Sequence, residues 1–163
     1  MRFSRAILIA LFITSGFIAA CSTTDTTETK RMDTGETRTG KSMQQASLYQ
    51  RLGEKPAITA VVDDFVARVA ADSRINGRFA NANIPRLKKN LVDQICAASG
   101  GPCTYTGRDM KTAHAGMQIS NADFDALVED LVAALNKFKV PEREKNELLS
   151  VLGPMRKDIV ERP

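Results

Sequence analysis

The feature that most constrains the fold is the spacing of apolar residues between residues 47 and 163, where they recur at steps of three and four without strand-like alternation. In the clearest stretch, six apolar side chains form one stripe: Ile58, Val61, Val62, Phe65, Val66 and Val69. Further stripes follow Pro85, Ser120 and Pro141. This spacing is typical of amphipathic helices that share a core. The sequence therefore predicts an all-α domain over residues 47–163.

Polar caps and helix breakers divide this pattern into separate helices. Ser47 with Gln50, and Ser120 with Asp123, have the spacing of helix N-terminal caps, and Asp109 is suited to cap a short helix that carries His114. The breakers stand at Gly53, Gly100-Gly101-Pro102 and Gly153-Pro154. The last of these predicts a bend in the final helix, because proline cannot continue the backbone hydrogen bonds.

Residues 1–20 have the composition of a secretory signal. Arg2 and Arg5 precede an uncharged run from Ala6 to Ala20, which is shorter than the roughly 20 residues that span a bilayer. The segment that ends in Cys21 (IAAC) resembles the bacterial lipobox, in which the cysteine is acylated and becomes the N-terminus. We therefore expect a lipoprotein signal peptide at 1–20 and lipidation at Cys21. An ordinary signal peptide or an uncleaved anchor is the alternative.

Residues 22–46 are polar, with almost no apolar side chains, so they predict a disordered tether. Ser22 directly after Cys21 favours the outer over the inner membrane, which gives a predicted location in the bacterial envelope, facing the periplasm. The net charge of +4 falls to about +2 without Arg2 and Arg5. That balance is too weak to indicate a nucleic-acid partner.

His114 is the only histidine and limits the possible chemistry. A zinc site needs three or four protein ligands, and a C-x-x-C-H run for covalent haem attachment is missing from the sequence. The spacing also proposes no nucleophile for a catalytic triad. One role requires a single histidine, namely the axial ligand of a b-type haem. The alternative is a structural histidine without a ligand.

Several spaced segments resemble the group 1 truncated haemoglobins. Residues 47–53 (SLYQRLG) and 61–65 (VVDDF) are similar to the opening of these proteins, and residues 100–114 (GGPCTYTGRDMKTAH) to their loop and proximal helix. The resemblance runs from residue 47 to about residue 159. It implies a globin-like, two-over-two helical sandwich around haem b, with His114 as the proximal iron ligand and Phe79 against the haem edge.

The resemblance also implies the other cofactor-binding residues. On the distal side they are Phe65, Val66, Leu87 and Leu91, and on the proximal side Met110 and Ile119. Candidate partners of the haem propionates are Arg86, Arg108 and Lys111. Many group 1 members carry a distal tyrosine and glutamine where this chain has Val66 and Leu91, which predicts fast release of oxygen. Gln94, one turn beyond Leu91, is a candidate to restore some polarity.

The expected function is reversible binding of oxygen or another diatomic gas, NO or CO, by a monomer or weak dimer without enzymatic activity. Two alternatives stay open: an NO dioxygenase or weak peroxidase, which needs an unidentified reductant, and a non-haem envelope scaffold. Cys96 and Cys103 predict a disulfide because the expected compartment is oxidising. Two free thiols are the alternative.

Overall fold

Seven α-helices and two 3-10 helices make up the regular structure of residues 46–162, the part of the chain that the computed structural model describes. The α-helices are α1 (Leu48–Arg51), α2 (Glu54–Ala71), α3 (Ile84–Ala98), α4 (Met110–His114), α5 (Asn121–Lys137), α6 (Glu142–Leu152) and α7 (Arg156–Ile159). The 3-10 helices are Asn76–Phe79 and Gly153–Met155. These residues contain no strand, only an isolated bridge between Ser120 and Arg162. The all-α prediction is confirmed.

The predicted caps start three of the helices. Ser47 and Gln50 form a capping box before α1, and Ser120 and Asp123 form another before α5. The side chain of Asp109 accepts a hydrogen bond within the first turn of α4. Each cap satisfies amide groups that the first helical turn leaves without a partner.

Two helix ends differ in detail from the sequence pattern. Helix α3 begins at Ile84, just ahead of Pro85, because the side chain of Asn83 accepts a hydrogen bond from the amide of Arg86 (3.0 Å) and caps the helix. At the C-terminal end, Gly153 and Pro154 tighten the chain into a 3-10 turn that separates α6 from α7. The predicted bend is therefore present.

Helix α2 lies at the centre of the core and packs against both α3 and α5. All six apolar residues of its predicted stripe are buried. The largest fully buried side chains are Val62, Cys96, Leu135 and Leu148, which come from α2, α3, α5 and α6. Burial of an aliphatic side chain stabilises a fold by about 1.5–3 kcal/mol, so Val62, Leu135 and Leu148 each contribute substantially to the stability of the domain.

An ionic cluster joins α1 to α6. The guanidinium of Arg51 donates to Glu144 (3.1 Å) and also to Glu147. Glu144 is only 8% exposed, and Arg51 additionally donates to the carbonyl of Ala46 (2.7 Å). Since a buried carboxylate needs such a partner, this cluster fixes α1 onto the domain.

The predicted N-terminal elements lie largely outside this description. The signal peptide at 1–20, the lipidation site Cys21 and the tether up to residue 45 are outside the described residues. Among residues 46–162, none of the helices has the length and apolar character that crossing a membrane requires.

Candidate haem site

His114 is the last residue of α4, and a backbone contact fixes the orientation of its ring. Its Nδ1 lies 2.7 Å from the carbonyl oxygen of Met110, one turn earlier in the same helix. Because a carbonyl can only accept, Nδ1 carries the proton and donates it. Nε2 therefore keeps a lone pair for a metal ion, which is the arrangement found in metal-binding histidines.

A small cavity of about 50 Å³ opens beside His114. Its apolar lining residues are Ile75, Phe79, Met117, Ile119, Phe124, Leu127 and Ile159. Arg78 and Asp123 are the charged residues on its wall. The structure thus brings together three residues that the sequence analysis assigned to the haem site: Phe79, His114 and Ile119.

The other predicted contact residues lie elsewhere in the described structure. Phe65 and Val66 are buried in α2, at 6% and 7% exposure, and belong to the main core. Leu91 is half-buried on α3 and packs against the same core. Leu87 and Met110 are also half-buried, on α3 and α4. The predicted distal residues are therefore apolar, and Phe65, Val66 and Leu91 pack in or against the core, whereas none of the four lies on the wall of the cavity.

The size of the cavity determines what must move when a large ligand binds. Pockets for organic cofactors have volumes of roughly 300–1,000 Å³, so a haem fits only if the walls separate. None of the residues of α4, Met110–His114, is buried in the core. An apolar pocket with one imidazole fits the chemistry of haem, which needs a single protein ligand and otherwise apolar surroundings.

Arg78 and Asp123 are site residues that the sequence analysis missed. The Arg78 guanidinium donates to Asp123 Oδ2 (3.0 Å) and to the carbonyl of Met117 (2.8 Å). The backbone hydrogen bond from Ser120 and the charge of Arg78 both hold the pKa of Asp123 below its usual value. The only sequence signal for Arg78 was its position directly before Phe79.

Gln94 does not have the surroundings expected for a distal polar group. Its Nε2 lies 3.2 Å from Met155 Sδ and 3.5 Å from Met110 Sδ. The amide is therefore directed at two methionine sulfurs, of which one belongs to α4. Both tyrosines are also engaged elsewhere: Tyr49 accepts from the amide of Lys55 (3.1 Å), and Tyr105 donates to a backbone carbonyl (2.7 Å).

The candidate propionate partners Arg86, Arg108 and Lys111 are all exposed. Exposed cations can reach the acidic edge of a cofactor that projects into solvent, and they contribute little to the stability of the domain itself.

Cys96 and Cys103 are joined by a disulfide, with an S–S distance of 2.02 Å and a Cα–Cα distance of 5.7 Å. Cys96 ends the buried face of α3, and Cys103 lies in the loop that leads to α4. Gly101 is required between them, because a Cβ there would lie 2.5 Å from a Tyr49 ring carbon and 2.7 Å from Cys96 Sγ. The bridge thus fixes the start of the segment that carries His114.

Comparison with known proteins decides the family. The bacterial-like globin family matches residues 47–161. A group 1 truncated haemoglobin from Mycolicibacterium paratuberculosis is 36% identical over 119 residues, which cover 73% of this chain and 88% of the relative. The chain belongs to the group 1 truncated haemoglobins. Haem-based binding of gases follows from this membership.

Solved structures of truncated haemoglobins agree with the fold. The truncated haemoglobin of Tetrahymena pyriformis in its Fe(III) form has a TM-score of 0.68 and 35% identity, and the match covers 71% of this chain and 98% of that one. A 2/2 haemoglobin from a Synechococcus species, crystallised in the cyanomet state with covalently attached heme, has a TM-score of 0.67 and 32% identity over 72% of this chain and all of the other. The predicted globin-like, two-over-two fold is confirmed.

Proposed function

We propose that this truncated haemoglobin holds haem b through His114 and reversibly binds oxygen or another diatomic gas, NO or CO. The observation that carries the proposal is the hydrogen bond of 2.7 Å from His114 Nδ1 to the carbonyl of Met110, which leaves Nε2 for the iron beside an apolar cavity. When bound, haem supplies an iron centre with an open coordination position for a gas. The protein supplies the imidazole, an apolar enclosure and the exposed cations.

Gas binding rather than catalysis is the proposed role, because the distal residues Phe65, Val66 and Leu91 have no group that donates or accepts a proton. Peroxidase chemistry requires proton transfer during O–O cleavage. Conversion of NO to nitrate would further need a reductant. NO consumption under oxygen, measured with and without a reductant, separates this enzymatic alternative from simple binding.

We further propose that the domain is attached to the bacterial envelope through a lipid at Cys21 and faces the periplasm, with the outer membrane favoured over the inner membrane. The support is the lipobox-like sequence and the polar residues 22–46 that follow it. More than one acyl chain gives stable attachment to a membrane.

The visible absorption spectrum of the full chain, expressed with haem, solubilised in detergent, reduced and exposed to CO, tests the haem proposal. We expect a sharp, shifted Soret band that His114→Ala removes. Thr112→Ala, an exposed position in the same helix, is the matched control and should keep the band. A well-folded wild-type chain that takes up no haem would overturn the proposal and favour the scaffold alternative.

A further inference from the structure

The turn that follows His114 has an unusual backbone. Residues 115–118 connect α4 to Ile119 on the cavity wall, and Gly116 and Gln118 both have positive φ angles, of 79° and 53°. A left-handed conformation is uncommon for a residue with a side chain such as Gln118. Such a conformation persists only where surrounding contacts hold it.

Glu161, near the C-terminus, holds two amides of this turn. Its Oε1 accepts from the amide of Gly116 (2.7 Å), and its Oε2 accepts from the amide of Gln118 (2.6 Å). The backbone amides of Glu161 and Arg162 both donate to the carbonyl of Ile119, at 2.9 and 3.0 Å. The hydrogen bonds from Gly116 and Gln118 lower the pKa of Glu161, so the carboxylate is ionised at neutral pH.

Arg78 holds the same turn from the cavity side. Its Nη1 donates to the carbonyl of Met117 (2.8 Å), which lies between the two amides bound by Glu161. Its Nη2 donates to Asp123 (3.0 Å), so the guanidinium is itself fixed to the start of α5. The Glu161 carboxylate therefore accepts from two amides of the turn, and the Arg78 guanidinium donates to the carbonyl between them. Hydrogen bonds to charged groups are stronger than those between neutral groups.

We propose that Arg78 and Glu161, which we call the turn clamp, are positioning residues that fix the orientation of the His114 imidazole relative to haem. The clamped turn begins one residue after His114, and His114 itself lies in a helix with no buried residue. Apart from the Met110 carbonyl that Nδ1 contacts, little within α4 holds the ring, and the clamp adds a constraint from outside the helix. This inference rests on the proposed function of His114 as the iron ligand.

Resonance Raman spectroscopy of the full, haem-loaded chain tests the clamp, because the iron–histidine stretching band reports the orientation and strain of the imidazole. Glu161→Gln and Arg78→Met each remove a charge and at least one hydrogen bond to the turn. In both variants we expect a broader, shifted band and roughly tenfold faster transfer of haem to an excess of apomyoglobin, since the lost hydrogen bonds are charge-assisted. The double variant should show a larger band shift and faster haem transfer than either single variant.

Matched controls are Asp158→Asn and Lys157→Met, which make the same kinds of change at exposed positions on α7. They should keep the wild-type band and transfer rate. If Glu161→Gln fails to fold, Glu161→Asp replaces it. Asp keeps both acceptor oxygens on a shorter side chain and should give an intermediate shift.

The outcomes separate the two proposals. A wild-type chain without an iron–histidine band means that the proposed function fails, and the clamp fails with it. In the other case the wild-type chain shows the band, and the clamp variants keep both the band and the transfer rate while only their unfolding temperature falls. The clamp then has a purely structural role. In that case the inference is wrong and the proposed function stands.

Discussion

Val66 and Leu91 occupy the two positions at which many relatives carry a tyrosine and a glutamine. Val66 is 7% exposed and lies directly after Phe65 on α2, and Leu91 is half-buried on α3. Neither side chain can donate a hydrogen bond to a polarised gas ligand. A hydrogen bond of this kind is worth about 1.5–3 kcal/mol where a charge is involved. The individual side chains therefore predict weak retention of oxygen.

Under the distal role that the family resemblance implies for Val66, Val66→Tyr should slow oxygen release by roughly one to two powers of ten, because the new hydroxyl would donate to the bound gas. Stopped-flow measurement of oxygen dissociation from the ferrous protein checks this. Val66→Phe is the matched control, since it adds the same ring without the hydroxyl. Equal rates in Val66→Tyr and Val66→Phe would show that bulk rather than polarity controls release.

Among the predicted cofactor contacts, the structure brings together those that neighbours in the chain define, and their contact with haem stays a prediction. Phe79, His114 and Ile119 stand at recognisable offsets from loops and caps, and the structure brings them to one cavity. Arg78 and Glu161 were missed because their partners are 39 to 45 residues away in the chain. A charged residue on an exposed segment has no sequence signature that tells a clamp from a solvated side chain.

At the scale of the helices, the segment between α3 and α4 is fixed at its start by a disulfide and a tight packing contact. The disulfide joins Cys96, which is fully buried, to Cys103 in the loop, and Gly101 packs against Tyr49 between them. A cross-link stabilises chiefly by restricting the unfolded chain. This connection therefore anchors one end of the segment that bears His114, and the turn clamp holds the other.

Reduction of the disulfide should lower the free energy of unfolding by about 2.5 kcal/mol, the value that chain entropy gives for so short a loop. Urea denaturation with and without a phosphine reductant measures the difference. The variant Cys96→Ala/Cys103→Ala is the control and should not respond to the reductant. A wild-type denaturation midpoint that reductant leaves unchanged would contradict the prediction.

The helix boundaries were largely predictable because local chemistry sets them. Ser47, Asp109 and Ser120 all cap helices in the structure, as their side chains indicated. The start of α3 differed by one residue because Asn83 rather than Pro85 determines it. Proline is merely tolerated in the first turn of a helix, whereas the side chain of Asn83 satisfies one of the unpaired amides of that turn.

For the whole molecule, the fold class followed from periodicity, since helices that each bury one stripe must share a core. The tertiary contacts could not be predicted from the periodicity. The contact of Arg51 with Glu144 joins residues 93 positions apart, and the cavity draws residues from segments on both sides of α4. The division into signal peptide 1–20, tether 22–46 and globin domain 47–163 stays a prediction.

Cys21→Ser should abolish lipid attachment, because only a thiol at this position can take the acyl chain. Wild-type protein grown with labelled palmitate should carry the label and sediment with membranes, while the variant should lose both properties. Ser22→Ala is the matched control and should behave as the wild type. A Cys21→Ser protein that still sediments with membranes would rule out the lipid anchor.

The distribution of burial separates the core helices from the helix that carries His114. The fully buried side chains belong to α2, α3, α5 and α6, whereas α4, which presents His114, buries none. No side chain of α4 is therefore part of the buried core. Substitutions in this five-residue helix should therefore alter the cofactor site more than the free energy of unfolding of the domain.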